Sequence, residues 1–144
     1  MLKLVVYDNW TIVITSSLIR GQSSVTCTTQ PTKERRDDKP GGPTPRGEYL
    51  IGKRRTHRTY GIDWYNLYPK KEDNSGYYSY TQRTRTGRYA MGLHPGTISE
   101  GCVTVKASTY YYNYDPCWQR IRKVIDSGNM QYRRSSYSGF LYVK

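Results

Sequence analysis

The sequence predicts a mostly β domain with one packing α-helix near the C-terminus. Three observations indicate this fold class. Several short stretches either alternate apolar and polar residues or are rich in tyrosine. Glycine and proline residues separate these stretches from one another. A single stretch places its apolar residues at helical spacing. A chain of 144 residues is long enough to bury one core, so we interpret residues 1–144 as a single domain.

The strand-like stretches follow one another along most of the chain. Residues 9–17, NWTIVITSS, show the two-residue period of a pleated strand, and the residues before them are interpreted as structure rather than as a signal peptide. Gly61, Pro69, Gly76 and Gly87 separate the aromatic stretches from one another. Further strands are predicted at 24–29, 47–53, 64–69, 76–82, 88–94 and 138–144.

One stretch, YDPCWQRIRKVIDSGN at 114–129, has the pattern of a helix. Asp115 is a suitable N-cap, Pro116 suits the first helical position, and Gly128 supplies a stop signal. Apolar residues recur between them at helical spacing: Cys117, Trp118, Ile121, Val124 and Ile125.

The chain is strongly basic, with a net charge of +12 and a pI of about 9.7. Such a balance favours polyanionic surroundings, which are nucleic acid, an anionic membrane or an anionic cell wall. The cations lie in short scattered clusters, such as KERRDDK in the exposed loop predicted at 31–43, so a merely basic surface explains the charge equally well. No run of about 18 apolar residues is present, so we expect no membrane span.

The three cysteines form an odd set, so at least one thiol is unpaired within the chain. Their spacings match neither a zinc site nor a CxxC redox pair, and we expect no metal or cofactor. Cys27, in an alternating strand, is either buried or paired with Cys117. Core packing is the favoured interpretation of Cys117, because it lies on the apolar stripe of the helix.

The segment GLHPGTISEGCVTV, residues 92–105, contains the residues suited to nucleophilic chemistry. His94 closes one predicted strand and Cys102 opens another, so the proline- and glycine-bearing loop between them can bring the two side chains together. A thiol attacks only as its thiolate, and an imidazole beside it can take the proton. The alternative is structural, because free cysteines are commonly buried. Gly101 favours chemistry, since it permits a tight turn and leaves room for backbone N–H groups to form an oxyanion hole.

Two segments of the chain resemble the L,D-transpeptidases. HPGTISEGCVTV resembles their active-site signature, in which a histidine precedes a Ser/Thr-x-Gly-Cys element, and GGPTPRGEYLIG at 41–52 resembles their upstream Thr-Pro-x-Gly segment. The match is closest to the short L,D-transpeptidase-like effectors that bacteria deliver by type VI secretion. The resemblance implies an L,D-transpeptidase-like β-sandwich.

By position, the resemblance implies that Cys102 is the nucleophile and His94 its general base, with Ser99 and Gly101 shaping the catalytic loop. The chain departs from the wall-building members at two positions. They place a second histidine where this chain has Glu100, and often an arginine where it has Thr104.

Several further residues are candidates for the site. Arg88 or Lys106 would replace the missing arginine, and a solvated surface charge is the alternative for each. Trp64 either lines the substrate groove or belongs to the sheet core. His57 is interpreted as loop polarity, and Asp63 is not expected to orient His94, because a backbone carbonyl commonly does so in the family.

The activity that the resemblance implies is cleavage of peptidoglycan stem tetrapeptides before the terminal D-alanine through an acyl-enzyme. Trimming by L,D-carboxypeptidase action or exchange for a D-amino acid is favoured over cross-linking. We expect a monomeric antibacterial toxin that acts in the periplasm or cell wall, is delivered without a visible signal peptide, binds no nucleic acid and has a cognate immunity protein. Two alternatives remain: a non-enzymatic, tyrosine-rich module that binds RNA or the cell wall, and a Cys–His amidohydrolase that cuts a different wall bond.

Overall fold

The computed structural model describes residues 2–7, 11–16, 25–30, 32–72, 78–81, 83–84, 87–88, 90–99, 101–108 and 110–144. Over these residues the fold is mostly β with one α-helix near the C-terminus, which confirms the predicted class. Trp10, at the start of one predicted strand, lies outside this part of the chain.

The described residues form twelve strands, one 3-10 turn and one helix. The strands are β1 (Leu2–Tyr7), β2 (Thr11–Ser16), β3 (Val25–Thr28), β4 (Gly47–Ile51), β5 (Arg55–Thr56), β6 (Asp63–Glu72), β7 (Tyr78–Tyr80), β8 (Gly92–Gly96), β9 (Val103–Lys106), β10 (Met130–Tyr132), β11 (Ser135–Tyr137) and β12 (Gly139–Val143). The 3-10 turn covers Tyr112–Tyr114, and the helix α1 covers Pro116–Asp126.

Ten of these strands form one curled sheet. Its main path runs β3-β2-β1-β12-β4-β6-β8-β9, with β5 and β7 paired to β6, and β10 with β11 forms a separate hairpin. The two ends of the path approach each other, because Thr29, just after β3, forms an antiparallel bridge with Val105 of β9. Curling removes most of the open edge that a flat sheet would expose and encloses an apolar core.

The helix α1 begins and packs as its sequence predicts. The Asp115 carboxylate caps it by accepting a hydrogen bond from the Trp118 backbone N–H at 3.1 Å, and Pro116 occupies the first position. Burial alone would raise the pKa of Asp115, but hydrogen bonds from Ser108 and Trp118 outweigh that effect and lower it. Trp118, Ile121 and Ile125 are the buried residues of the helix and join the sheet core.

Asp63, at the start of β6, joins the helix to the sheet through a buried carboxylate. It accepts a hydrogen bond from Trp118 Nε1 at 3.0 Å and pairs with the Arg122 guanidinium at 2.9 Å. Only 5% of Asp63 is exposed, and a buried charge is tolerated only where such partners neutralise it. Asp63 therefore belongs to the packing of the helix on the sheet and, as expected, is not what holds His94.

Two predicted strand boundaries are wrong. Pro69 does not end a strand but lies inside β6, where its carbonyl accepts from the Thr81 N–H just past the last β6–β7 pair, Lys70 with Tyr80. A proline is tolerated there because the ladder toward β7 ends at this point. His94 does not close its strand but lies in the middle of β8, which begins only at Gly92 and continues through Pro95.

A disulfide joins Cys27 of β3 to Cys117 of α1, 90 residues apart in sequence. The pairing that the sequence left open is therefore present, and Cys117 also packs against the core, as its place on the apolar stripe predicts. Cys27 is buried, and Cys117 is only half-buried where the first turn of the helix meets the sheet edge. Such a bond persists in an oxidising compartment.

We predict that replacing both cysteines (Cys27→Ser with Cys117→Ser) lowers the free energy of unfolding by about 4 kcal/mol, because the unfolded chain loses a closed loop of this length. Thermal unfolding should shift down by about 10 °C. Wild-type protein treated with a reductant should unfold at the same temperature as the double variant, and the reductant should not change the variant. Equal stability of the oxidised wild type and the double variant would show that the disulfide does not contribute to the free energy of unfolding.

Candidate functional site

The parallel pairing of β8 with β9 brings the two candidate catalytic segments together. His94 lies opposite Thr104, and Cys102 precedes the first β9 residue, Val103. Residues in register point to the same face of a sheet, and that face alternates along each strand. Val103 points into the core, so the opposite face of this sheet edge carries His94 and Thr104, with Cys102 directly before them.

The connection between these strands is only six residues long, 97–102. Parallel neighbours usually need a dozen or more residues to return the chain. The short return is held from several sides. Ser99 is buried, its hydroxyl donates to the Cys102 carbonyl at 2.8 Å, and its backbone bridges Thr32. Ser99 thus binds the peptide group of Cys102 and holds this loop to the segment around Thr32.

Gly101 fits its position because it has no side chain. Its φ is +124°, in the region that L-residues rarely adopt. A Cβ there would lie 1.9 Å from Arg88 Nη2 and 3.1 Å from the Gly42 carbonyl oxygen. Thr44 donates a 2.7 Å hydrogen bond to the Gly101 carbonyl. The peptide just before Cys102 is therefore packed against two segments that lie earlier in the chain.

The hydrogen bonds of His94 identify which ring nitrogen is basic. Its Nδ1 lies 2.8 Å from the Pro95 carbonyl oxygen, which can only accept, so Nδ1 carries the proton of the neutral ring. Its Nε2 is therefore unprotonated and accepts a hydrogen bond from the Thr104 hydroxyl at 3.3 Å. A backbone carbonyl orients His94, as the resemblance implied, and Nε2 faces the strand that Cys102 introduces.

Trp64 supports the imidazole from β6. The two rings stack with centroids 4.6 Å apart and an interplanar angle of 4°. Trp64 is 8% exposed, and its ring closely approaches Gly92, where a Cβ would lie 2.3 Å away. His57, interpreted as loop polarity, instead packs against Trp64 with centroids 4.5 Å apart and stacks on Tyr60. Trp64 therefore contacts the candidate base directly.

This burial sets the protonation of His94. Burial lowers the pKa of His94, the Pro95 hydrogen bond raises it, and the nearby His57 lowers it, so that the pKa stays below the ordinary value. His94 is consequently a neutral base near pH 7, able to accept a proton at Nε2.

Cys102 is half-buried and is not part of the disulfide. Beside it lies a small cavity with room for about one water molecule. The described residues that line this cavity with Cys102 are uncharged: Val6, Thr29, Gln30, Thr32, Ser99, Val103 and Thr104. The thiol thus lies beside an uncharged cavity lined mainly by hydroxyl-bearing residues, directly before β9.

The other candidate residues differ in their burial and in their distance from Cys102 along the fold. Arg88 is half-buried and not a solvated surface charge; its Nη1 donates to the carbonyls of Asp37 at 3.0 Å and Pro43 at 2.6 Å. Lys106 is exposed at the far end of β9 from Cys102, and Glu100 lies outside the described residues. Sequence reasoning missed the contacts of Thr44 and Thr104, and only the resemblance singled out their segments.

The described part of the chain contains no group of three His, Cys, Asp or Glu side chains placed to hold a metal ion. Its single helix is too short and too polar to cross a membrane.

A family model describes most of the chain. The model of the Tlde1 domain, a transpeptidase-like domain of type VI secretion effectors, matches residues 27–133. This range begins at the disulfide cysteine of β3 and includes every candidate site residue. No curated protein and no solved structure matches the chain.

We predict that Trp64 keeps His94 from being protonated. The chain has only two histidines, so their NMR signals can be assigned with one variant. In wild-type protein His94 should titrate below about 6.5, the ordinary value for histidine, and Trp64→Leu should raise its midpoint toward that value because water reaches the ring. Tyr68→Leu, a change on the same strand, should leave the midpoint unchanged. An unshifted His94 in Trp64→Leu would contradict the shielding role.

Proposed function

The chain belongs to the Tlde1 domain family, and from this membership and the geometry of the β8–β9 edge we propose that it is a cysteine enzyme that modifies peptidoglycan. One observation carries the proposal. Cys102, which is not part of the disulfide, lies between Gly101 and the first residue of β9, on the sheet edge where Nε2 is the unprotonated ring nitrogen of His94.

The first step is attack by the Cys102 thiolate on a stem tetrapeptide. Nε2 of His94 takes the thiol proton, and sulfur bonds to the carbonyl carbon of the third residue. The amide bond to the terminal D-alanine breaks, and the protonated His94 gives its proton to the leaving amine. The products are D-alanine and a thioester acyl-enzyme.

The backbone around Gly101 suits stabilisation of the oxyanion formed in this step. Thr44 holds the Gly101 carbonyl from one side. In a trans peptide the N–H points opposite to the C=O, so the Cys102 N–H points away from Thr44. We assign this N–H as an oxyanion donor, a contribution worth about 3 kcal/mol for a well-placed group.

The acyl-enzyme is resolved by water or by a D-amino acid rather than by a second stem peptide. Wall-building relatives often carry an arginine where this chain has Thr104. Thr104 is fully buried, and its hydroxyl contacts His94 Nε2, so it has no charge to offer an acceptor's carboxylate. Trimming and exchange therefore suit the site better than cross-linking.

The family is one of type VI secretion effectors, and we assign this chain an antibacterial role in the periplasm of a target cell. The disulfide between β3 and α1 supports that location, because the bacterial periplasm is oxidising. A toxin of this kind requires a cognate immunity protein in the producing cell.

One observation favours the rival function of polyanion binding. Arg54, Arg120, Arg122 and Lys123 line an open groove along α1. Arg54 and Arg122, however, pair with Asp63 or Asp126, so part of this charge is neutralised within the fold. The groove therefore supports the rival less strongly than the thiol site supports catalysis.

We predict that Cys102→Ala abolishes D-alanine release from a purified tetrapeptide muropeptide, a loss of at least about 1,000-fold, because the hydroxyls among the described residues of the site are far weaker nucleophiles than a thiolate. His94→Gln should lower release by about 100-fold or more. Mass spectrometry of the products measures both, and loss of a whole stem peptide would identify an amidohydrolase instead.

The Cys27→Ser, Cys117→Ser double variant is the matched control, and it should remain active below its unfolding temperature. If Cys102→Ala keeps the activity, the proposed mechanism is wrong. RNA binding with a steep salt dependence, together with unchanged muropeptides, would establish the rival function.

A further inference from the structure

Arg88 connects the loop that precedes Cys102 (residues 97–102, the nucleophile loop of the proposed function) to two other segments of the chain. Its Nη1 donates to backbone carbonyls of the 37–43 loop, and its backbone N–H donates to the Thr84 hydroxyl at 3.2 Å. Its Nη2 occupies the space where a Cβ of residue 101 would stand. The guanidinium therefore lies directly behind the peptide that precedes Cys102.

We propose that Arg88 is a positioning residue that stabilises the Cys102 thiolate, supplying a permanent positive charge behind the nucleophile. The proposal rests on the proposed function, because it concerns the same thiol. It replaces the expectation that Arg88 binds the substrate.

The direction of the guanidinium supports this role over substrate binding. Carboxylate recognition by arginine uses the outer fork of two parallel N–H groups. Here Nη1 already serves two carbonyl oxygens, and Nη2 is packed against Gly101. The fork is thus turned toward the protein and the nucleophile loop.

The electrostatic interaction between Arg88 and Cys102 also supports a role in stabilising the thiolate. Burial, the largest influence, lowers the pKa of Arg88, and electrostatic interactions with neighbours that include Cys102 and Asp37 oppose that effect without reversing it. The attraction between Arg88 and the thiolate is mutual, and arginine remains protonated in proteins. The described residues that line the cavity beside Cys102 are uncharged. Arg88, packed against Gly101, and the neutral His94 are the basic groups at this end of the site.

The electrostatic role predicts a specific change in thiol reactivity. An opposite charge within about 4–6 Å lowers the pKa of a group by about 1–3 units. Iodoacetamide alkylation of Cys102, followed by mass spectrometry against pH, measures the thiolate without any substrate, and the disulfide keeps the other two cysteines unreactive. In Arg88→Gln the alkylation midpoint should rise by at least about one pH unit, so that the rate at pH 7 falls about tenfold.

Two variants distinguish the electrostatic effect of Arg88 on the thiol from its structural support of the loop. Arg88→Lys keeps the charge but loses the paired carbonyl bonds, and it should restore most of the wild-type midpoint. Arg134→Gln removes one exposed charge elsewhere and should leave the midpoint unchanged. Equal rises in Arg88→Gln and Arg88→Lys, or no rise in either, would overturn the proposal.

A third variant tests the proposal if Arg88→Gln does not fold. His94→Gln leaves Arg88 in place, so the Cys102 midpoint should remain clearly below the ordinary thiol value of about 8.5. A midpoint at or above that value would overturn the proposal. Because alkylation needs no muropeptide, a chain that fails to release D-alanine but shows these shifts would refute the proposed function alone.

Discussion

The short parallel connection between β8 and β9 is the constraint on which the site depends. Six residues must carry the chain back along the length of β8 so that Val103 can pair with Leu93. So few residues leave little freedom for a relaxed loop, and the return includes a glycine at φ +124°. Glycine adopts this φ without the steric cost that a Cβ would add, so the return needs a glycine at this point. Gly101 immediately precedes Cys102, the candidate nucleophile, which lies where the return ends.

The groups that hold this loop come from distant parts of the chain. Thr32 bridges Ser99, Thr44 binds the Gly101 carbonyl, and Arg88 packs behind the same peptide. The sheet must therefore curl before these segments can meet, because Thr32 follows β3 at one end of the strand order and the loop precedes β9 at the other. The Thr29–Val105 bridge and the disulfide to α1 reinforce that closure. The contacts that close the sheet therefore also bring together the segments that hold the loop at residues 97–102.

Local signals in the sequence were sufficient for the fold class and for the helix. The Asp115 cap, Pro116 and the apolar stripe act within one turn of each other, so a single stretch contains all the information. Long-range pairings leave no such signal. The opposed positions of His94 and Thr104, the stack of Trp64 on His94 and the placement of Arg88 follow from strand order and register, which periodicity does not specify. Pro69 resembles a strand terminator in the sequence, although it lies inside β6 where the ladder toward β7 ends.

Burial of His94 and burial of Arg88 have opposite consequences that fit together. Taking an imidazole out of water favours its neutral form, so His94 is unprotonated at rest and available as a base, while a standing imidazolium beside a thiolate is disfavoured. A guanidinium in a similar setting keeps its charge. A site that needs both a free base and a stabilised anion can therefore divide the two tasks between two residues. The stack on Trp64 keeps His94 neutral, and the carbonyls of Asp37 and Pro43 hold Arg88 against Gly101, so each task has its own fixed support.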